Sequence, residues 1–385
     1  MKILITTDLF NVSTNGVVTS VRNLLGELEA KGHDVRVLTF SENLESRKEE
    51  NIYYIKSMPI GFIYPDVRMP ISYRNKLVKE LIEWNPDVIH SQCEFFSYQF
   101  AQRISKLTGA PIVHTYHTLY EDYVTYVIPS KRVGKLAVRK LSRMRLRKAK
   151  TVIAPTSKVE HTLRVYGLKN DIQIVPSGVS IKQHHYRMTE EERQKKRLVL
   201  GIPEGNKVLL NLGRLGTEKN LGELVEFFAE ALKRNQQLTF LIVGDGPAKK
   251  ELEEQAAELG IAEQVIFTGM VPPALVQEYY QLADVFVSAS TSETQGLTYI
   301  EAAANGLPLL CRKDDVLCDV VRDGENGYQY TTQSEFLEYL DKMMQDNQWR
   351  KEAGRISEEI AETFDKSHFG DTMETIYEAL TEEIG

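Results

Sequence analysis

The 385-residue chain has only three cysteines, Cys93, Cys311 and Cys318, and no CxxC pair among them. That excludes a disulfide framework and a zinc ribbon and fits a reducing compartment, so the three read as buried or idle thiols. No window approaches the roughly 18 consecutive apolar residues of a membrane-spanning helix. Nothing like a basic segment followed by an apolar leader precedes the first strand-like run, Lys2 to Thr7, so no secretory signal is expected. A clean GxGxxG is also missing. In VGDGP, Gly244 and Gly246 are followed by Lys249 where the third glycine would stand, which argues against an NAD-dependent oxidoreductase.

What is present is ordinary globular material, 42% apolar and 26% charged, long enough for two or three domains. Short β-rich runs alternate with helical patterns. Strands are expected at 2–7, 34–40, 87–91, 111–116, 151–155 and 172–176, with helices such as Val17 to Glu29 and Ser97 to Leu107 between them. Most of these runs are continuously apolar, as in a parallel sheet covered on both faces. Residues 180–200 are polar and lack strand signal. A second βα series follows, with strands at 208–213, 238–244, 264–269, 284–290 and 307–311, and a helical acidic stretch at 333–383. The expected fold is therefore α/β, two Rossmann-like domains facing across a cleft. The boundaries expected are 1–180 and 181–365, with 366–385 a helix packing back toward the first domain. Ligands of such sheets sit beyond the carboxyl ends of strands.

Four segments there can carry chemistry. DLFNVSTNGVVTS places Gly16 at a helix start, suited either to a close backbone approach or to a plain turn. GRLGTEKN places Arg214 and Lys219 just past strand 208–213, where two fixed cations suit a diphosphate. VGDGP supplies Gly244 in a tight turn or a contact. SASTSETQGLTYIEAAANGLP puts Glu293 in a polar loop, Gly296 before a helix starting near Leu297, and Glu301 inside that helix. The N–H groups around Thr294, Gln295, Gly296, Leu297 and Thr298 can cradle a phosphate, and Glu301 can grip paired ribose hydroxyls.

Taken together, ExxxxxxxE after a strand and an upstream GRLxxEKN resemble the retaining glycosyltransferases of family four, of GT-B fold. The likeness spans nearly the whole chain: the Gly16 loop, GHDV (32–35), PDVIH (86–90), IVPSGV (174–179), VGDGP, VIFTGMV (265–271), ETQGLTYIE (293–301) and DGENGY (323–328). One departure is Ser177 where a PNGV turn usually has asparagine. The resemblance implies that Arg214 and Lys219 hold the donor diphosphate, Glu293 contacts the donor sugar, and Glu301 contacts the nucleoside ribose. It also implies that Gly16 closes over the phosphates and that Met270 and Val271 meet the base through their backbone. His117, in HTYHTLY, matches the family's histidine near the reaction centre. No residue is an evident covalent nucleophile, so a front-face mechanism with retention is expected. There is no DxD triad, and cationic side chains can replace a metal, so neither metal nor cofactor is expected beside the nucleotide-sugar cosubstrate.

Residues 130–150 hold ten Lys or Arg and no acid, so the chain's net −7 is a +10 island on a −17 remainder. Val133, Ala137, Leu141 and Met144 follow helical spacing there, among Lys131, Arg132, Lys135, Arg139, Lys140 and Arg143. A basic amphipathic helix of this kind can lie on an anionic membrane surface, or pack by its apolar stripe as a solvated helix. Aromatic residues cluster nearby (Tyr116, Tyr120, Tyr123, Tyr126; Phe95, Phe96, Tyr98) and can line a lipid path or an interface. The wording ETQGLTYIEA resembles bacterial diacylglycerol glucosyltransferases. That resemblance implies UDP-glucose as donor, diacylglycerol as acceptor, and a cytoplasmic enzyme held peripherally on the inner membrane face. Alternatives are a transferase extending a glycolipid or a cell-wall or capsule glycan, an inactive glycosyltransferase-like binding partner, and a two-carboxylate glycoside hydrolase. Intact Arg214, Lys219, Glu293 and Glu301 weigh against the inactive partner. The loop–helix setting of the carboxylates weighs against the hydrolase.

Overall fold

The computed structural model describes residues 1–10, 15–60, 68–123, 130–185 and 187–382. The chain divides into two compact units, residues 1–178 with 366–385, and residues 179–365.

The first unit is built on an eight-stranded sheet. Its strands are β1 (Lys2–Thr6), β2 (Asp34–Phe40), β3 (Arg47–Glu49), β4 (Ile52–Ile55), β7 (Val88–Ser91), β8 (Ile112–Thr115), β9 (Thr151–Ala154) and β10 (Asp171–Ile174), after a small ribbon of β5 (Ser57–Pro59) and β6 (Arg68–Pro70). The order is β10-β9-β8-β7-β1-β2-β4-β3, parallel except for β3 against β4. The sequence reading leaves β3 to β6 unmarked: RKE, SMP and RMP are three-residue stretches with no strand pattern, whereas β4, IYYI, is a short β-favouring run that this reading misses. Helices α1 (Gly16–Ala30), α2 (Lys76–Trp84), α3 (Phe96–Thr108), α4 (Tyr120–Tyr123), α5 (Lys131–Leu146) and α6 (Ser157–Val165) connect the strands.

Continuous apolar strands feed two cores at once. On β1 and β2, Leu4 and Leu38 face one cluster while Ile3, Ile5, Val35 and Val37 face the other. The C-terminal helix Lys366–Glu382 completes the second cluster. Its Phe369, Met373, Ile376 and Tyr377 pack with Val21, Leu24 and Leu28 of α1. Lys366 pairs with Glu27 at 3.0 Å and Lys31 with Asp371 at 2.5 Å along the rim.

The second unit repeats the plan. α7 (Glu190–Val199) leads into β11 (Lys207–Leu212), α8 (Leu221–Arg234), β12 (Leu238–Val243), α9 (Lys249–Glu258), β13 (Val265–Phe267), α10 (Pro273–Leu282), β14 (Val285–Ser288), α11 (Leu297–Ala304), β15 (Leu309–Arg312), β16 (Gly327–Tyr330), α12 (Gln333–Gln345) and α13 (Asn347–Glu362). All six strands are parallel, in the order β13-β12-β11-β14-β15-β16. Chain order reverses beside β11, so the loops after β11 and β14 meet at a topological switch point, the usual ligand crevice of such sheets.

Candidate functional site

At that switch point the chain turns out of β11 through Gly213. Gly244 and Gly246, after β12, press against the same turn. A Cβ on Gly244 would lie 1.9 Å from the Gly213 carbonyl oxygen, and one on Gly246 2.5 Å from that of Leu215. Gly213 N–H donates to Val243, Leu215 N–H to Asp245, and Gly244 N–H to Gly269. The glycines of VGDGP therefore let three strand-end loops stack backbone to backbone. Met270, exposed, and Val271, buried, follow directly on the third of these loops.

The paired loops carry the charge. Arg214 forms an ion pair with the well-buried Glu218 carboxylate one turn on. Lys219, from the loop after β11, reaches across to Glu293, from the loop after β14, with Nζ 2.5 Å from Oε1. Two residues 74 apart in sequence, both picked out by spacing alone, thus form one ion pair. Glu218 was not singled out by sequence, since only the fold shows that it faces Arg214. Its backbone carbonyl also accepts from Ser292, tying the two loops together.

Beyond Glu293, Thr294 is half-buried and Gln295 buried. Gly296 takes φ 74° and caps α11 without a side-chain hydrogen bond. A Cβ there would meet the Tyr299 ring at 2.4 Å, so only glycine lets the chain enter this helix. The N–H groups of Leu297 and Thr298 open the helix, with its positive dipole end. Glu301, one turn in, is half-buried. Its Oε2 accepts from the Tyr280 hydroxyl at 2.8 Å. Burial pushes the Glu301 carboxyl up to about 7, and the Tyr280 bond partly offsets this.

In the first unit, Gly16 is exposed at the first position of α1, and Asn15 caps that helix by accepting from Val18 N–H. His117 follows β8, with Nε2 donating to Gln92 Oε1 at 2.7 Å. Burial, and then neighbouring His114, lower its pKa to about 3, so His117 is neutral at ordinary pH. Gln92, directly after β7, has no sequence signature. Its buried Nε2 has no hydrogen-bond partner among the described residues. One strand over, His114 Nε2 lies 3.1 Å from Glu94 Oε1, and Tyr120 donates to the other oxygen of Glu94.

The basic helix is α5, and it buries a different stripe from the one the spacing singles out. Gly134, Val138, Ser142 and Leu146, spaced by four, face the unit. Val133 (56% exposed), Leu136 (66%), Leu141 and Met144 (48%) face away from it, as does Ala137. Arg132, Arg139, Lys140 and Arg143 are exposed and make no ion pair among the described residues, while Lys135 pairs with Glu121 at 2.9 Å. Tyr98 and Tyr116 do not line a lipid path. Both are fully buried beneath α5, where Tyr98 donates to the Arg145 carbonyl and the Tyr116 hydroxyl meets Ser142. Of that aromatic set, Phe95 is exposed, and Phe96 and Tyr120 are half-buried. Tyr126 lies outside the described residues, as do the side chains of Tyr123 and Lys131. Cys93 and Cys311 are buried thiols and Cys318 an exposed one. No helix among the described residues is long and apolar enough to cross a membrane.

Residues 14–183 match the profile of Glycosyltransferase Family 4, and residues 192–361 that of Glycosyl transferases group 1. The chain is 36% identical to an alpha-monoglucosyldiacylglycerol synthase of Streptococcus pneumoniae, over 86% of this chain and 75% of that protein. It is 32% identical to the enzyme of the same name from Acholeplasma laidlawii, over 98% of this chain and 96% of the relative. Among solved structures, Anabaena HepE in complex with UDP and glucose superimposes with TM-score 0.77 at 19% identity, covering 98% of this chain and all of that one. Sucrose-phosphate synthase of Thermosynechococcus elongatus does so with TM-score 0.78 at 21% identity, covering 99% of each chain. Two Rossmann-like units, one profile matched in each, and relatives above 30% identity over most of the chain place this protein among the family-four glycosyltransferases of GT-B fold, as a hexosyltransferase.

Proposed function

We propose that the protein is a retaining glucosyltransferase that moves glucose from UDP-glucose to diacylglycerol at an anionic membrane surface. The observation that carries this reading is the likeness, over most of the chain, to two alpha-monoglucosyldiacylglycerol synthases. Two features of the molecule support it: the switch-point site of the second unit and the outward stripe of α5.

In this reading Arg214 and Lys219 release their carboxylate partners and turn to the donor diphosphate, stabilising the charge that grows on it as it leaves. Freed from Lys219, Glu293 accepts hydrogen bonds from the sugar hydroxyls. The α11 N-terminus from Thr294 to Thr298 takes a phosphate, Glu301 takes the ribose, and the backbone at Met270 and Val271 meets the base. Gly244 shapes the loop and Gly16 approaches the phosphates. Neutral His117, oriented by Gln92, offers a hydrogen bond to the sugar and no proton as an acid. The acceptor oxygen bonds to the anomeric carbon on the face that the diphosphate leaves, and the acceptor's proton passes to the departing phosphate oxygen. Positioning and electrostatic stabilisation supply the rate. The exposed apolar stripe of α5 enters the lipid interface, and its cations meet anionic headgroups at roughly 1 kcal/mol each.

The test mixes protein, UDP-glucose and liposomes with or without diacylglycerol and anionic lipid, following UDP release and glycolipid together. Diacylglycerol-dependent glycolipid is expected, lowered when Arg139, Lys140 and Arg143 are neutralised. Arg214→Ala or Lys219→Ala should each cost on the order of 100-fold in rate. UDP release without lipid product would overturn the acceptor, and turnover only with another sugar nucleotide would overturn the donor. Silence with every sugar nucleotide would favour an inactive binding partner.

A further inference from the structure

We propose that Tyr280 is a positioning residue for the donor ribose: it claims one oxygen of the Glu301 carboxylate and so presents the other to the sugar. The inference rests on the reading that Glu301 holds the ribose. No spacing pattern marks Tyr280, which lies on α10, 21 residues before Glu301.

The geometry is a brace built from both sides. The Tyr280 side chain is fully buried, and its hydroxyl donates to Glu301 Oε2 at 2.8 Å, with the Thr298 carbonyl 3.4 Å away. Glu301 Oε1 makes no hydrogen bond among the described residues. The two carboxylate oxygens are thus divided, one held by the protein and one left for a ligand donor. Burial keeps the phenol protonated far above neutral pH, so it stays a donor toward Glu301.

The ring cannot easily drift. It packs against Phe286 of β14, centroids 6.2 Å apart, and against the edge of His184 at 6.5 Å. His184 also steadies the helix turn that carries Glu301. Asn305 Nδ2 donates both to His184 Nδ1 at 2.8 Å and to the Glu301 backbone carbonyl at 2.9 Å. The Tyr280 ring and the Glu301 helix turn therefore share one buried histidine. In metal centres, partners that orient a ligating side chain are typically worth about 10- to 100-fold, and Tyr280 holds Glu301 by the same kind of hydrogen bond.

UDP and 2′-deoxy-UDP read this arrangement directly, since they differ only in a ribose hydroxyl. Their affinities would be measured by calorimetry for the wild type, Tyr280→Phe, Glu301→Gln and the double variant, with thermal melting as the folding control. The wild type should prefer UDP. Glu301→Gln should abolish the preference. Tyr280→Phe, which keeps the ring, should weaken UDP about tenfold, move 2′-deoxy-UDP much less, and raise the donor KM more than it lowers kcat. Added to Glu301→Gln, it should change little further, because it acts through that carboxylate. If Tyr280→Phe weakens both nucleotides equally, or leaves the preference intact while Glu301→Gln removes it, the positioning role fails and the ribose reading stands. If Glu301→Gln leaves the preference intact, the ribose reading itself fails, and this inference with it.

Discussion

At Glu301, burial and hydrogen bonding pull in opposite directions, and burial wins, leaving the carboxyl at about 7. The folded value lies above the ordinary 4.5, so this group's contribution to stability is full below pH 4.5 and is lost as pH rises through 7. Donor binding should run the other way, because an ionised carboxylate is a better acceptor for ribose hydroxyls. UDP affinity is therefore expected to rise between roughly pH 6 and 8. Asp8, which burial pushes up to about 6, titrates in the same window, so the informative quantity is the difference from Glu301→Gln. A wild-type profile parallel to that of Glu301→Gln would sink the assignment.

The element whose surface matters most is α5. Its helical periodicity and its cations are legible from composition, yet periodicity cannot say which of two apolar stripes faces inward. Val138, Ser142 and Leu146 win because Tyr98 and Tyr116 lie under that side and take their hydrogen bonds there. The outward stripe yields a clean expectation. Val133→Asp with Met144→Asp should leave thermal stability nearly unchanged, within roughly 0.5 kcal/mol, as is usual for exposed sites. The same pair should sharply reduce sedimentation with anionic liposomes. Val138→Asp, which buries a charge, should instead destabilise the protein by several kcal/mol. Liposome binding that survives the outward double substitution would remove α5 from the interface.

For the molecule as a whole, one narrow crossing governs how the chain returns to its first unit. The chain leaves that unit at Gly178 and re-enters it at Lys366, and the two points touch. A Cβ on Gly178 would lie 2.4 Å from the Lys366 Cα and 2.9 Å from the Phe369 Cβ. Gly178→Ala should therefore cost about 1–3 kcal/mol by overpacking against backbone. Gly26→Ala, in open space inside α1, should stabilise the protein by roughly 0.5–1 kcal/mol, since glycine is a poor helix former. Thermal melts of the two variants would decide it. Equal melting temperatures would show that the crossing yields easily.

The sequence by itself determined the alternation of strand and helix, the doubly covered sheets and which polar residues stand just past the strand ends at the candidate site. Each rests on a local signal: a continuous apolar run, a glycine before a helix, a cation or carboxylate just past a strand. Tertiary structure alone decided the partners. Lys219 with Glu293, Arg214 with Glu218, His117 with Gln92 and Tyr280 with Glu301 are pairs made by loops and helices on different strands, or by a turn whose direction spacing does not reveal. The roles of Gly244 and Gly246 were hidden for the same reason, because a close backbone approach exists only once β11 and β12 lie side by side. Local chemistry can be read along the chain, but a hydrogen bond or a steric limit between distant residues needs the sheet that brings them together.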